Sequence, residues 1–140
     1  MRGFIDSSTL LKKYKEEPGR DQFLRILDTI EEIIVSPVTY IEVMCSMKRV
    51  CEESRLKNED FLKFKNEFDL DFSYFHKIPF SEDLEKTAFD LRQEYKLKTL
   101  DLIQISAARM SHPKIFLTSD KFLHKIARQV LKNTEVELVG

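Results

Sequence analysis

The sequence contains no tryptophan, only three glycines, four prolines, two cysteines and three histidines, and no stretch rich in Pro, Gly or Ser. Without such a stretch or a shift in composition there is no linker, so residues 1–140 are expected to form one domain of ordinary size. Cys45 and Cys51 fall in one predicted helix, where six residues mean a rise of about 9 Å and different faces. They cannot bridge each other, and reduced, partly buried thiols agree with a reducing compartment. His76, His112 and His124 stand singly, without ligand-like spacing, which argues against zinc. No apolar run approaches the roughly 20 residues needed to cross a bilayer, and the N-terminus lacks the basic-then-apolar plan of a signal peptide. A cytoplasmic protein with no membrane partner is expected. Net charge is also lacking: 23 basic residues stand against 24 acidic ones. Any nucleic-acid binding must therefore come from a local patch.

What is present is a globular pattern, with 42% hydrophobic and 34% charged residues. Short strand-like segments occur at Arg2 to Ile5, Glu32 to Val35, Ser73 to Ile78, Lys114 to Thr118 and Glu135 to Val139. Helical periodicity fills the intervals, at Phe23, Leu27, Ile30, then at Leu84, Ala88, Leu91, Tyr95, and finally at Phe122, Ile126, Val130. This alternation predicts an α/β fold, a mostly parallel central sheet of about five strands flanked by helices on both faces. Ser36 before Pro37, Ser81 after Pro79, and Thr99 all read as helix N-caps. The charged helical segment Leu56 to Phe72 carries Phe61, Phe64 and Phe68 on one side, either as a core helix or as an exposed contact element.

Four acids stand out. Asp6 and Asp120 each end an apolar strand, and parallel strands deliver such residues to the one edge where open α/β sheets bind ligands. Each is equally suited to capping the following helix. Glu42 lies about 40° from Val38 on a helix whose apolar stripe is read as Val38, Ile41 and Cys45, which puts a carboxylate near the core boundary. Such a group needs compensation by a metal or a lysine. Asp101 is the one charge in the first turn of Leu100 to Ala108, an otherwise apolar helix, although a helix N-terminus alone favours an anion. Gln104, one turn on, either fills a polar gap or donates to a bound phosphate. Clustered carboxylates without buried cations call for raised pKa values or bound cations, and an oxygen-only set suits Mg²⁺ or Mn²⁺. Ser7, Ser8, Thr118 and Ser119 adjoin two of the acids as hydroxyls placed to orient ligands or water, or simply as turn residues.

Four ordered segments carry a family resemblance: Phe4-Ile5-Asp6-Ser7-Ser8-Thr9-Leu10, Ser36-Pro37-Val38-Thr39-Tyr40-Ile41-Glu42, Leu97 to Ala108 around Asp101, and Leu117-Thr118-Ser119-Asp120-Lys121-Phe122. Together they resemble the PIN-domain nucleases, and within them the VapC-like toxins of type II toxin–antitoxin pairs. The resemblance implies a PIN-like three-layer sandwich and a Mg²⁺- or Mn²⁺-dependent ribonuclease using Asp6, Glu42, Asp101 and Asp120. It further implies an RNA substrate, a cognate antitoxin protein and a homodimer. The stretch from Cys51 to Lys77 matches least.

RNA needs cations to approach an acidic pocket. Lys121, Lys125 and Arg128 recur at i, i+4, i+7 just after Asp120, and Lys96 and Lys98 precede Asp101, so these are phosphate-contact candidates or an ordinary solvated face. Two other readings stay open. A Mg²⁺-dependent phosphotransfer or phosphatase domain would use a strand-end aspartate as nucleophile, but Ser8 stands where a haloacid-dehalogenase-like enzyme needs its second Asp. A receiver domain needs an acidic pair ahead of Asp6, and Met1 to Ile5 has none. A non-catalytic interaction module on the same fold would use the Phe61, Phe64, Phe68 stripe as its contact surface.

Overall fold

The computed structural model describes residues 1–140. In chain order the elements are β1 (Arg2–Ile5), α1 (Ser7–Leu10), α2 (Arg20–Leu27), β2 (Glu32–Val35), α3 (Thr39–Glu53), α4 (Asn58–Phe72), β3 (His76–Lys77), α5 (Glu82–Glu94), α6 (Thr99–Ser111), β4 (Ile115–Thr118), α7 (Lys121–Val130) and β5 (Glu135–Leu138). All five strands are parallel, in the order β3-β2-β1-β4-β5.

Strand alternation divides the core between the two faces of this sheet. Phe4, Ile34 and Phe116 point to one face and pack with α5, α6 and α7, through Leu84, Leu91, Ile105 and Leu123. The Phe4 and Phe116 rings stack there at 5.6 Å. Ile5, Val35, Ile115 and Leu117 point to the other face, against Phe23 of α2, Val43 and Met47 of α3, and Phe64 and Phe68 of α4. Gly3 is demanded by this second layer, since a Cβ there would lie 2.6 Å from Ile30 Cδ1.

The charged segment before β3 is a core helix. Phe64 stacks on Phe68 at 5.7 Å, and the Tyr14 ring meets both edge-on at 5.4 Å. Hydroxyl bonds of 2.6 Å from Tyr14 to Asp71 and from Tyr40 to Asp69 pin the same helix at two further points. Burial and the Asp71 bond raise the Tyr14 pKa, while the Asp69 bond does most to raise that of Tyr40.

Several local expectations are corrected. The third strand shrinks from Ser73–Ile78 to His76–Lys77, because Ser73, Tyr74 and Phe75 keep turn-type bonds back to the end of α4. Thr39, Val43, Met47 and Cys51 form the buried face of α3, leaving Ile41 60% exposed and Cys45 in solvent. Likewise α7 buries Leu123, Ile126 and Ala127 and leaves Phe122 50% exposed. In both helices more than one apolar row is available, and the row that meets the sheet is set by the surface the helix docks on. Ser81 caps α5 through a 3.1 Å bond from Leu84 N. Thr99 does not cap α6: it is the first helical residue, after Lys98. Ser36 Oγ accepts from Val38 N at 3.2 Å, so Pro37 lies in the turn ahead of α3 rather than within it. Ile30 lies beyond the end of α2, yet still packs on the second core layer.

Candidate metal centre

Topology brings the four acids to one edge. Asp6 leaves the carboxyl end of β1, Asp120 follows β4, and Glu42 sits in the first turn of α3, just past the carboxyl end of β2. Helix α6 runs against the strands, because Arg2 at the start of β1 donates to Ser111 O at its end, at 2.9 Å. Its first turn, with Asp101, therefore lies at the carboxyl edge. After β1 the chain winds to β2 on one side, whereas β4 flanks β1 on the other. The acids thus ring the topological switch point, where open parallel sheets form their ligand crevice.

Asp6 is 5% exposed. Both of its hydrogen bonds fall on Oδ2, from Ser8 Oγ at 2.7 Å and Thr118 Oγ1 at 2.9 Å. Burial pushes its pKa up to about 6; the two hydroxyls partly offset this, and the charges of Glu42 and Asp101 add to it. Asp101 is also raised, by burial first and then by Asp120 and Glu42, with Lys98 opposing. The four carboxylates therefore share one electrostatic field. None of them has an ion pair with a lysine, arginine or histidine.

Neighbouring polar groups hold the acids in place. Ser7 Oγ donates to Glu42 Oε1 at 2.9 Å, and Gln104 Nε2 donates to the same oxygen at 2.7 Å and to Ser7 Oγ at 2.8 Å. Gln104 is 1% exposed, so it serves Glu42 and does not face a bound phosphate. Ser8 Oγ accepts from Ser119 N, and Ser119 Oγ pairs with Thr9 Oγ1, so the loops after β1 and β4 are laced together. Thr9 and Thr39, both fully buried, were not among the expected site residues. Thr39 Oγ1 accepts from Ser36 N at 3.0 Å, and the Ser36 to Thr39 spacing is its one signal in the sequence. Asp120 is both an acid of the cluster and the cap of α7, its Oδ1 accepting from Leu123 N at 2.9 Å.

As they stand, no three of these side chains close on a single point at ligand distance. The donor set nevertheless fits a hard divalent cation: every group is a carboxylate, no protein cation neutralises them, and Asp6 Oδ1, Glu42 Oε2, Asp120 Oδ2 and both Asp101 oxygens make no hydrogen bond. Lys121, Lys125 and Arg128 project into solvent from α7 without an ion pair, and Lys96 and Lys98 are exposed ahead of Asp101. A cavity of about 280 Å³ at the opposite end of the sheet, lined by Arg109, His112, Lys132 and Asn133 among others, contains no carboxylate.

The family model for the PIN domain matches residues 3–129. No curated protein matches the sequence. Among solved structures, the chain is similar to a toxin–antitoxin complex from Klebsiella pneumoniae, at 24% identity over 84% of this chain and 86% of that one, with a TM-score of 0.63. It is similar to VapBC2 from Rickettsia felis bound to a DNA fragment from its promoter, at 17% identity over the whole of both chains, TM-score 0.65. It is similar to FitAcB from Neisseria gonorrhoeae, at 14% identity over 96% and 95%, TM-score 0.76. At these identities the likeness is one of fold.

Proposed function

The chain belongs to the PIN-domain family, and from that premise we propose that residues 1–140 form one catalytic domain, a divalent-metal-dependent endoribonuclease that acts as the toxin of a toxin–antitoxin pair. The observation that carries this reading is the ring of four carboxylates at the switch point, mutually repelling and without a cationic partner. Such a site is costly unless a cation enters it.

Asp6 and Asp101 would hold Mg²⁺ or Mn²⁺, with Glu42 as a further ligand or as acceptor of a proton from the attacking water. Asp120 would contribute the oxygen its cap leaves free. Bound there, the metal supplies a Lewis acid that activates water and stabilises charge on the leaving oxygen of a phosphodiester. The hydroxyls of Ser7, Ser8, Thr118 and Ser119 fix the orientation of the carboxylates and the loops that bear them. Lys98, Lys121, Lys125 and Arg128 would be the cations that meet RNA phosphates, with Lys98 and Lys121 nearest the acids and Lys125 and Arg128 further along α7. The partners of this reading are an RNA substrate, an antitoxin protein and a second copy of the chain, all in the cytoplasm. Support for the antitoxin comes from the similar Klebsiella structure, itself a toxin–antitoxin complex.

The test is a calorimetric titration with Mn²⁺ beside an RNA-cleavage assay, on wild type and Asp101→Asn. Wild type is expected to bind Mn²⁺ and to cleave RNA only with metal present, and the variant to lose both while still folding, with a melting midpoint no lower than that of the metal-free wild type. Full metal-dependent cleavage by the variant would sink the assignment.

A further inference from the structure

The hydrogen bonds around Glu42 are unequal between its two oxygens. Oε1 accepts from Ser7 Oγ at 2.9 Å and from Gln104 Nε2 at 2.7 Å, whereas Oε2 accepts from nothing. The two donors come from the elements that carry the other acids: Ser7 follows Asp6, and Gln104 lies one helical turn beyond Asp101. The amide orientation is dictated by chemistry, since the reverse would press the Gln104 oxygen against a carboxylate. That orientation leaves Gln104 Oε1 buried with no partner, an arrangement normally avoided in a protein interior. The amide nitrogen also approaches Thr39 Oγ1 at 3.5 Å, so polar groups from α1 and α3 enclose it.

We propose that Gln104 and Ser7 set the metal preference of this centre, by occupying Glu42 Oε1 and confining Glu42 to coordination through Oε2 alone. The inference rests on the metal-dependent reading above. Ca²⁺ takes six to eight oxygens in flexible geometry and readily uses both oxygens of a carboxylate, whereas Mg²⁺ demands a compact octahedron and does well with single-oxygen ligands. A Glu42 tied at Oε1 therefore penalises Ca²⁺ more than Mg²⁺ or Mn²⁺. Gln104 and Ser7 are positioning residues, acting on the metal through Glu42.

The test titrates the full chain calorimetrically with Mn²⁺ and, separately, with Ca²⁺, without RNA, comparing wild type with Gln104→Met and Ser7→Ala. Methionine keeps the bulk of Gln104 and removes its donor; alanine removes the other donor at little cost in volume. Thermal melts of the metal-free proteins identify the folded variants, and Ser7→Ala decides alone if Gln104→Met fails to fold. Changes to the groups that orient metal ligands typically alter metal affinity 10- to 100-fold. The expected result is that wild type prefers Mn²⁺ and that the ratio of Mn²⁺ to Ca²⁺ affinity falls about tenfold in the folded variants. Equal weakening of both metals, or an unchanged ratio in either folded variant, overturns the inference while leaving Mn²⁺ binding and the proposed nuclease intact. A wild type that binds no Mn²⁺ overturns both.

Discussion

Replacing Asp6 by asparagine should inactivate the protein and stabilise it at the same time. The carboxyl of Asp6 is buried, and its pKa stands at about 6 in the folded chain against an ordinary 3.8. Folding therefore favours the protonated form. Below about pH 4 both folded and unfolded chains carry the proton, and the site imposes no charge penalty. As pH rises from about 4 through 6 the unfolded chain has already ionised while the folded one resists, so stability is progressively lost. Above about pH 6 the full penalty is in place. At 1.36 kcal/mol per pH unit, the gap between 3.8 and about 6 amounts to about 3 kcal/mol. Asparagine retains an oxygen to accept from Ser8 and Thr118, and brings an amide rather than a second negative oxygen towards Glu42 and Asp101. In EDTA at pH 7.5, Asp6→Asn should then melt about 10 °C above wild type, whereas at pH 4 the two should melt together. Adding Mg²⁺ should raise the wild-type midpoint by ligand linkage and leave the variant unmoved. Calorimetric scans at the two pH values measure all of this. A variant no more stable than wild type at pH 7.5, or a gap that persists at pH 4, would refute the argument that burial and repulsion strain Asp6.

Charge reversal of Lys121 and Lys125 together should weaken RNA binding and reduce the slope of log affinity against log salt by about 1.4, the expectation for two single-strand phosphate contacts; fluorescence anisotropy across a salt series reads it. Asp120 has two roles that two substitutions separate. Asp120→Asn keeps an acceptor for Leu123 N and should melt close to wild type, while Asp120→Ala loses the cap and about 1 kcal/mol, and both should bind Mn²⁺ more weakly. Phe68→Ala should cost about 3–5 kcal/mol in urea unfolding, because the ring is fully buried between Tyr14, Tyr40, Phe64 and Phe72.

The sequence by itself determined the order of strands and helices, the parallel sheet and the choice of acids worth attention. Arg2–Ile5 and Glu32–Val35 are strands at the bounds their apolar runs mark, since a buried parallel strand needs nearly continuous hydrophobicity and local composition records it directly. Ser81 as a cap was legible for the same reason: a cap is a contact across three residues. The rows of α3 and α7 that face the core were not legible, because each helix carries more than one apolar row and the choice belongs to the surface it docks on. Ile41 and Phe122 were read inward and lie outward. The tertiary structure also decided what no spacing encodes. Asp6 and Thr118 are 112 residues apart and meet only because β1 and β4 pair in register. Gln104 found its role at Glu42, 62 residues away, because α6 and α3, packed on opposite faces of the sheet, begin side by side at its carboxyl edge. Likewise the sequence offered Asp120 as either cap or site acid, and the fold shows a cap that also bears on Asp101 electrostatically: capping is local, whereas a shared electrostatic field depends on which strands stand side by side.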